Sequence, residues 1–179
     1  LCGYSLGARV ALGLLARHAY LFSGATLIGV HPGLSNPSER AARVGSDERW
    51  CQLLIDRGLR PFLAAWQAQP IFQSQRSLPR ARVLGQERIR AAHDARGLIR
   101  SLRVLGLGQM PDYRGVPLSA RVALRLVVGA RDEKFVALAR ELTRAAPRVA
   151  LDLVGGVGHN VLLEAPDQVE SVLMRALAA

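Results

Sequence analysis

The chain has 179 residues, half of them hydrophobic and 21% charged, which excludes a disordered tail and supplies a packed core for one domain. Its 24 basic residues, of which only Lys134 is a lysine, outweigh 14 acidic ones and leave a formal net charge of +10. No apolar run approaches the roughly 20 residues of a bilayer span, and the best, Val122 to Ala130, is cut by Arg125.

A basic surface attracts phosphate whatever its sequence, but here the arginines are scattered and aromatics make up only 5%, so nucleic acid is set aside as a partner. An arginine-favouring genome explains the missing lysines. A narrower use also stays open: a few guanidinium forks could bind a small polyanion, because they match carboxylate geometry. Cys2 and Cys51 make no disulfide framework, and no Cys/His cluster has metal-ligand spacing. Both thiols are expected to be reduced and partly buried, with no metal or cofactor, in a cytoplasmic protein.

In chain order, Leu6 to Ala19 has helical character, with Val10, Leu14 and Leu15 on one face. Ala25 to Val30 is a short apolar run of strand length that ends in the loop signal His31-Pro32-Gly33. From about Ser38 to Ser119 there is no convincing strand; Ser38 to Arg57, Pro61 to Gln69 and Glu87 to Leu105 read as helices. Strand character returns at Val122 to Val128, followed by an amphipathic helix over Lys134 to Ala146, a strand over Val149 to Val154 and a closing helix over Pro166 to Leu177. Outside the middle insert, helices and strands alternate, which predicts an α/β protein with a mostly parallel sheet.

Gly3-Tyr4-Ser5-Leu6-Gly7 is a GxSxG pentapeptide. The motif makes a sharp strand-to-helix turn that exposes a strained serine hydroxyl, and the Leu6 amide, at the helix N-terminus, is placed to stabilise an oxyanion. Alone, the pentapeptide is only moderately specific, because a glycine-rich turn before a helix also fits it. Asp132, just past the strand ending at Val128, and His159, in the loop after Val154, complete the chain order serine, acid, histidine of an α/β-hydrolase triad. Ser5 would carry the reactive hydroxyl, His159 would be its base, and Asp132 would orient the imidazole. Loops at the carboxyl ends of parallel strands converge on one crevice, which gives this trio a common location.

Longer stretches are more specific. Gly3-Tyr4-Ser5-Leu6-Gly7-Ala8-Arg9, His31-Pro32-Gly33-Leu34, Arg40 and Arg43 before Trp50, Trp66 with Gln69-Pro70-Ile71-Phe72, Gly129 to Phe135, and Gly158-His159-Asn160 with Glu164 and Pro166 together resemble the 2-succinyl-6-hydroxy-2,4-cyclohexadiene-1-carboxylate synthases of menaquinone biosynthesis, the MenH family, over essentially the whole chain. The resemblance implies an α/β-hydrolase fold with a helical cap and a lyase that eliminates pyruvate from a polycarboxylate, its serine acting as a base and not as a covalent nucleophile. It also implies that Tyr4, Arg9, Arg43, Trp66 and Arg90 bind substrate. Ala8 stands where many relatives have a second glycine, and the arginines crowded before Arg90 leave the register there open by a turn.

This reading expects residues 1–31 to carry the elbow, helix and strand of the core, 32–120 the helical cap, and 121–179 the acid and histidine loops. The family has several strands before the elbow, so an N-terminally truncated chain is expected, with an exposed apolar face and poor solubility or activity by itself. A serine esterase or thioesterase on the same fold is the alternative, and an inactive truncated fragment the second.

Overall fold

A computed structural model describes residues 1–116 and 122–178. The chain divides into two compact units, Leu1–Pro32 with Tyr113–Ala179, and Gly33–Asp112. The expected boundary at residue 120 lies outside the described residues.

The first unit is an α/β layer structure. Its four strands, β1 (Cys2–Tyr4), β2 (Gly24–Ile28), β3 (Ala123–Gly129) and β4 (Ala150–Val154), form one sheet in the order β1-β2-β3-β4. Every pair is parallel, in a register that aligns Gly3 with Leu27, Leu27 with Leu126 and Leu126 with Leu151. Between β1 and β2 runs α1 (Leu6–His18), followed by a short 3₁₀ turn at Ala19–Leu21; between β3 and β4 runs α6 (Glu133–Ala145). Right-handed crossovers in one direction put α1 and α6 on the same face of the sheet. On the opposite face, the one-turn α7 (Val161–Glu164) and α8 (Pro166–Ala178) pack Val161, Ala165, Val169 and Val172 against Ile28, Val127 and Val154.

The buried side of α1 differs from the expected one. Ala8, Ala11, Leu12 and Leu15 are buried, whereas Val10 and Leu14 are 45% and 38% exposed. Close approach to β1 decides this: a Cβ on Gly3 would lie 2.5 Å from the Gly7 carbonyl oxygen, so the helix meets the sheet through its small residues. Arg125, which breaks the apolar run of β3, pairs with Asp152 on β4. Cys2 is exposed, contrary to the expectation of partial burial; it lies on β1, at one end of the strand order, while Cys51 is fully buried.

The second unit is helical: α2 (Pro37–Arg57), α3 (Leu59–Gln67), a 3₁₀ segment (Pro70–Ser77), α4 (Arg80–Ala91) and α5 (Ala95–Leu105). Asn36 caps α2, its side-chain oxygen accepting from the Ser38 and Glu39 amides at 2.8 and 3.3 Å, with Pro37 in the first turn. Gly58, at φ 75°, ends α2 and starts α3. The single helix expected over Glu87 to Leu105 is two. Asp94 caps the second by accepting from the Gly97 amide at 2.7 Å, which favours a break over continuation. The 3₁₀ segment and the one-turn α7 are short elements without a clear hydrophobic period in the sequence. No helix of the described residues is long and apolar enough to cross a membrane.

Candidate active site

Ser5 sits between β1 and α1 at φ 50° and ψ −107°, the one non-glycine residue among those described with a positive φ. A conformation this sparsely populated costs on the order of 1–3 kcal/mol and persists only where neighbours over-determine it. Two neighbours do so: the Ser5 amide donates to the Ile28 carbonyl at 2.8 Å, and the Arg9 amide donates to the Ser5 carbonyl at 3.1 Å. Leu6 is the first residue of α1, so its N–H is one that helix geometry leaves without an intrahelical acceptor.

The acid and the histidine come from the ends of adjacent strands. Asp132 immediately precedes α6, and its amide closes a turn onto the Gly129 carbonyl at 3.0 Å. The loop after β4 is tied to the loop after β3: the Ala130 and Arg131 amides donate to the Val154 and Val157 carbonyls, both at 2.8 Å. His159 Nδ1 lies 2.6 Å from Asp132 Oδ2, and His159 Nε2 lies 3.0 Å from Ser5 Oγ. His159 is buried and Asp132 half-buried, their side chains only 4% and 8% exposed. An ionised aspartate accepts only, so Nδ1 carries the proton and donates to Asp132, which leaves Nε2 to accept from the Ser5 hydroxyl.

Three further residues shape the space around the imidazole. The Phe135 ring lies 4.4 Å from that of His159, and the Tyr4 ring 5.6 Å. Gly29, at φ 57°, lies under the ring: a Cβ there would approach His159 Cε1 to 3.0 Å. Sequence reasoning gave Phe135 no contact role and did not single out Gly29. The available signals were a phenylalanine one helical turn beyond the acid and a glycine inside the apolar run Ala25 to Val30, the mark of a close backbone approach.

Tyr4 and Arg9 accompany the triad in the first unit; Arg43, Trp66 and Arg90 belong to the second. Arg43 Nε donates to the buried Asp47 carboxylate one turn along α2, at 2.8 Å. Trp66 joins an aromatic cluster with Trp50, Phe62 and Phe72. Arg90 donates to Gln67 Oε1 at 2.7 Å and holds its guanidinium carbon 5.0 Å from the centre of the Phe72 ring. Trp66 and Arg90 thus share Phe72 as a neighbour, and Arg43 is engaged with an aspartate that the sequence reading did not pair with it.

The sequence profile of the alpha/beta hydrolase family matches residues 1–172, and the chain belongs to that family. The parallel sheet with its serine elbow and flanking helices agrees with the membership. Within the family the chain is MenH-like. It is 34% identical over 178 residues to the 2-succinyl-6-hydroxy-2,4-cyclohexadiene-1-carboxylate synthase of Escherichia coli strain K12, covering 99% of this chain and 67% of the relative. It is 32% identical to the synthase of Enterobacter sp. strain 638, covering 99% and 66%. The solved structure of MenH from S. aureus superposes with a TM-score of 0.95 at 28% identity, over 99% of this chain and 67% of that one. A carboxylesterase structure from Nitrososphaera gargenis, at 19% identity and a TM-score of 0.76, shares the fold. The chain spans about two thirds of the length of the synthases it matches.

Proposed function

We propose that this chain is part of a lyase that eliminates pyruvate from 2-succinyl-5-enolpyruvyl-6-hydroxy-3-cyclohexene-1-carboxylate, giving 2-succinyl-6-hydroxy-2,4-cyclohexadiene-1-carboxylate in menaquinone biosynthesis. The observation that carries the reading is the Ser5–His159–Asp132 array at 3.0 and 2.6 Å, in a chain one third identical to named synthases across almost its whole length.

On this reading the Ser5 Oγ, its proton drawn towards His159 Nε2, takes a proton from a ring carbon of the substrate. The ring C–O bond to the enolpyruvyl group breaks, a ring double bond forms, and the departing enolate leaves as pyruvate after gaining a proton. Asp132 holds the imidazole in the tautomer that accepts and stabilises the imidazolium that forms. The Leu6 amide at the start of α1 is suited to an oxygen on which negative charge develops. Tyr4, Arg9, Arg43, Trp66 and Arg90 are assigned to the substrate's carboxylates and ring, a role that suits guanidinium forks.

The same strained elbow serves nucleophilic serines, so an esterase is the competing reading. The two separate in one comparison on the full-length protein: pyruvate released from the cyclohexene carboxylate, coupled to lactate dehydrogenase, against hydrolysis of a simple aryl ester. The lyase reading predicts that pyruvate release exceeds ester hydrolysis by orders of magnitude in kcat/KM. The reverse ranking would make the protein an esterase.

A further inference from the structure

The histidine loop contains a buried acid that the triad does not use. Glu164, at the end of α7, is 9% exposed, and its Oε2 accepts from the Gly158 amide at 2.8 Å. Gly158 is the residue before His159. The same short segment is held at two other points: Arg131 donates to the Val157 carbonyl, and the Gly158 carbonyl packs so closely on Gly129 that a Cβ there would overlap it. Asn160 continues the restraint from the far side, its side chain capping α7 at the Leu163 amide and its carbonyl accepting from the Glu164 amide at 2.9 Å. The turn of α7 therefore folds Glu164 back onto Gly158, the residue before the one that carries the imidazole.

We propose that Glu164 is a positioning residue for His159: by holding the Gly158 amide, its carboxyl oxygen fixes the loop so that Nδ1 meets Asp132 and Nε2 meets Ser5 together. The inference rests on the triad reading above. A general base must be held close to its productive geometry, and displacement by about 1 Å from a change outside the chemistry costs on the order of a hundredfold. An acceptor at residue 164 is what the role requires, so a glutamine retains it and a methionine of similar length does not.

The test compares Glu164→Gln and Glu164→Met in the full-length protein, by the downfield proton resonance of His159 Nδ1–H and by kcat and KM for pyruvate release. The proposal predicts that Glu164→Gln keeps the resonance and its kcat within about twofold, while Glu164→Met loses or shifts the resonance and drops kcat by about tenfold to a hundredfold with KM little changed. An unaltered resonance and kcat in Glu164→Met would overturn it, as would equal losses in both variants. If Glu164→Met does not fold, Glu164→Gln decides, since loss of the resonance in a folded protein that still has an acceptor contradicts the role. Ser5→Ala in the same assay judges the triad reading separately, because the resonance reports the His159–Asp132 contact whatever reaction the serine performs.

Discussion

At the scale of single residues, the site combines one strained serine with a buried imidazole whose two nitrogens are both occupied. Asp132 determines which nitrogen of His159 carries the proton. Asp132→Asn preserves shape but turns an acceptor into a group that also donates, which favours the wrong tautomer. We expect kcat to fall by roughly 10⁴-fold with KM little altered, measured by initial rates of pyruvate release. Gly29 makes a steric counterpart. Gly29→Ala places a methyl 3.0 Å from His159 Cε1 at a φ of 57°, so the ring must shift. Turnover should drop by at least tenfold, more than the melting temperature alone would explain. An unchanged rate would mean that the imidazole tolerates displacement.

At the scale of elements, the elbow works because α1 can approach β1 closely. Gly3→Ala inserts a Cβ 2.5 Å from a helix carbonyl in a backbone–backbone contact that no rotamer change relieves. A loss of about 1–3 kcal/mol is expected, read as a lower midpoint in urea denaturation. The main elements were legible in the sequence where pattern and punctuation agree: the apolar runs of β2, β3 and β4 between turn residues, and α2, read over Ser38 to Arg57 and stopped by Gly58; its start one residue earlier, at Pro37 under the Asn36 cap, came from the structure. The buried face of α1 was not, because the contact selects alanines over the larger Val10 and Leu14. The break between α4 and α5 was hidden because Asp94 acts through a local cap, and the helical residues around it mask that signal. For the site, the identity and order of Ser5, Asp132 and His159 were legible. Gly29 under the imidazole and the Asp47 partner of Arg43 arise from packing that no local spacing encodes.

At the scale of the whole molecule, the two cysteines report the two units independently. Burial, reinforced by the Glu48 carboxylate, raises the Cys51 thiol above its ordinary value near 9, with Arg103 opposing. Cys51 should therefore resist alkylation in the native protein and react only on unfolding, while in the 179-residue chain the exposed Cys2 reacts at once. Because the folded thiol holds its proton longer than the unfolded one, its contribution to stability is complete below the unfolded value and is lost as pH rises through the raised folded value. Urea midpoints of the wild type and Cys51→Ala should accordingly converge as the pH is raised past about 9.

The most direct test of the account is the rate of pyruvate release from the cyclohexene carboxylate by full-length wild-type protein and by Ser5→Ala. The wild type should release pyruvate readily and the variant should lose at least about a thousandfold in rate, with the fold retained. Near-equal rates in the two proteins would contradict the assignment of Ser5 as the base.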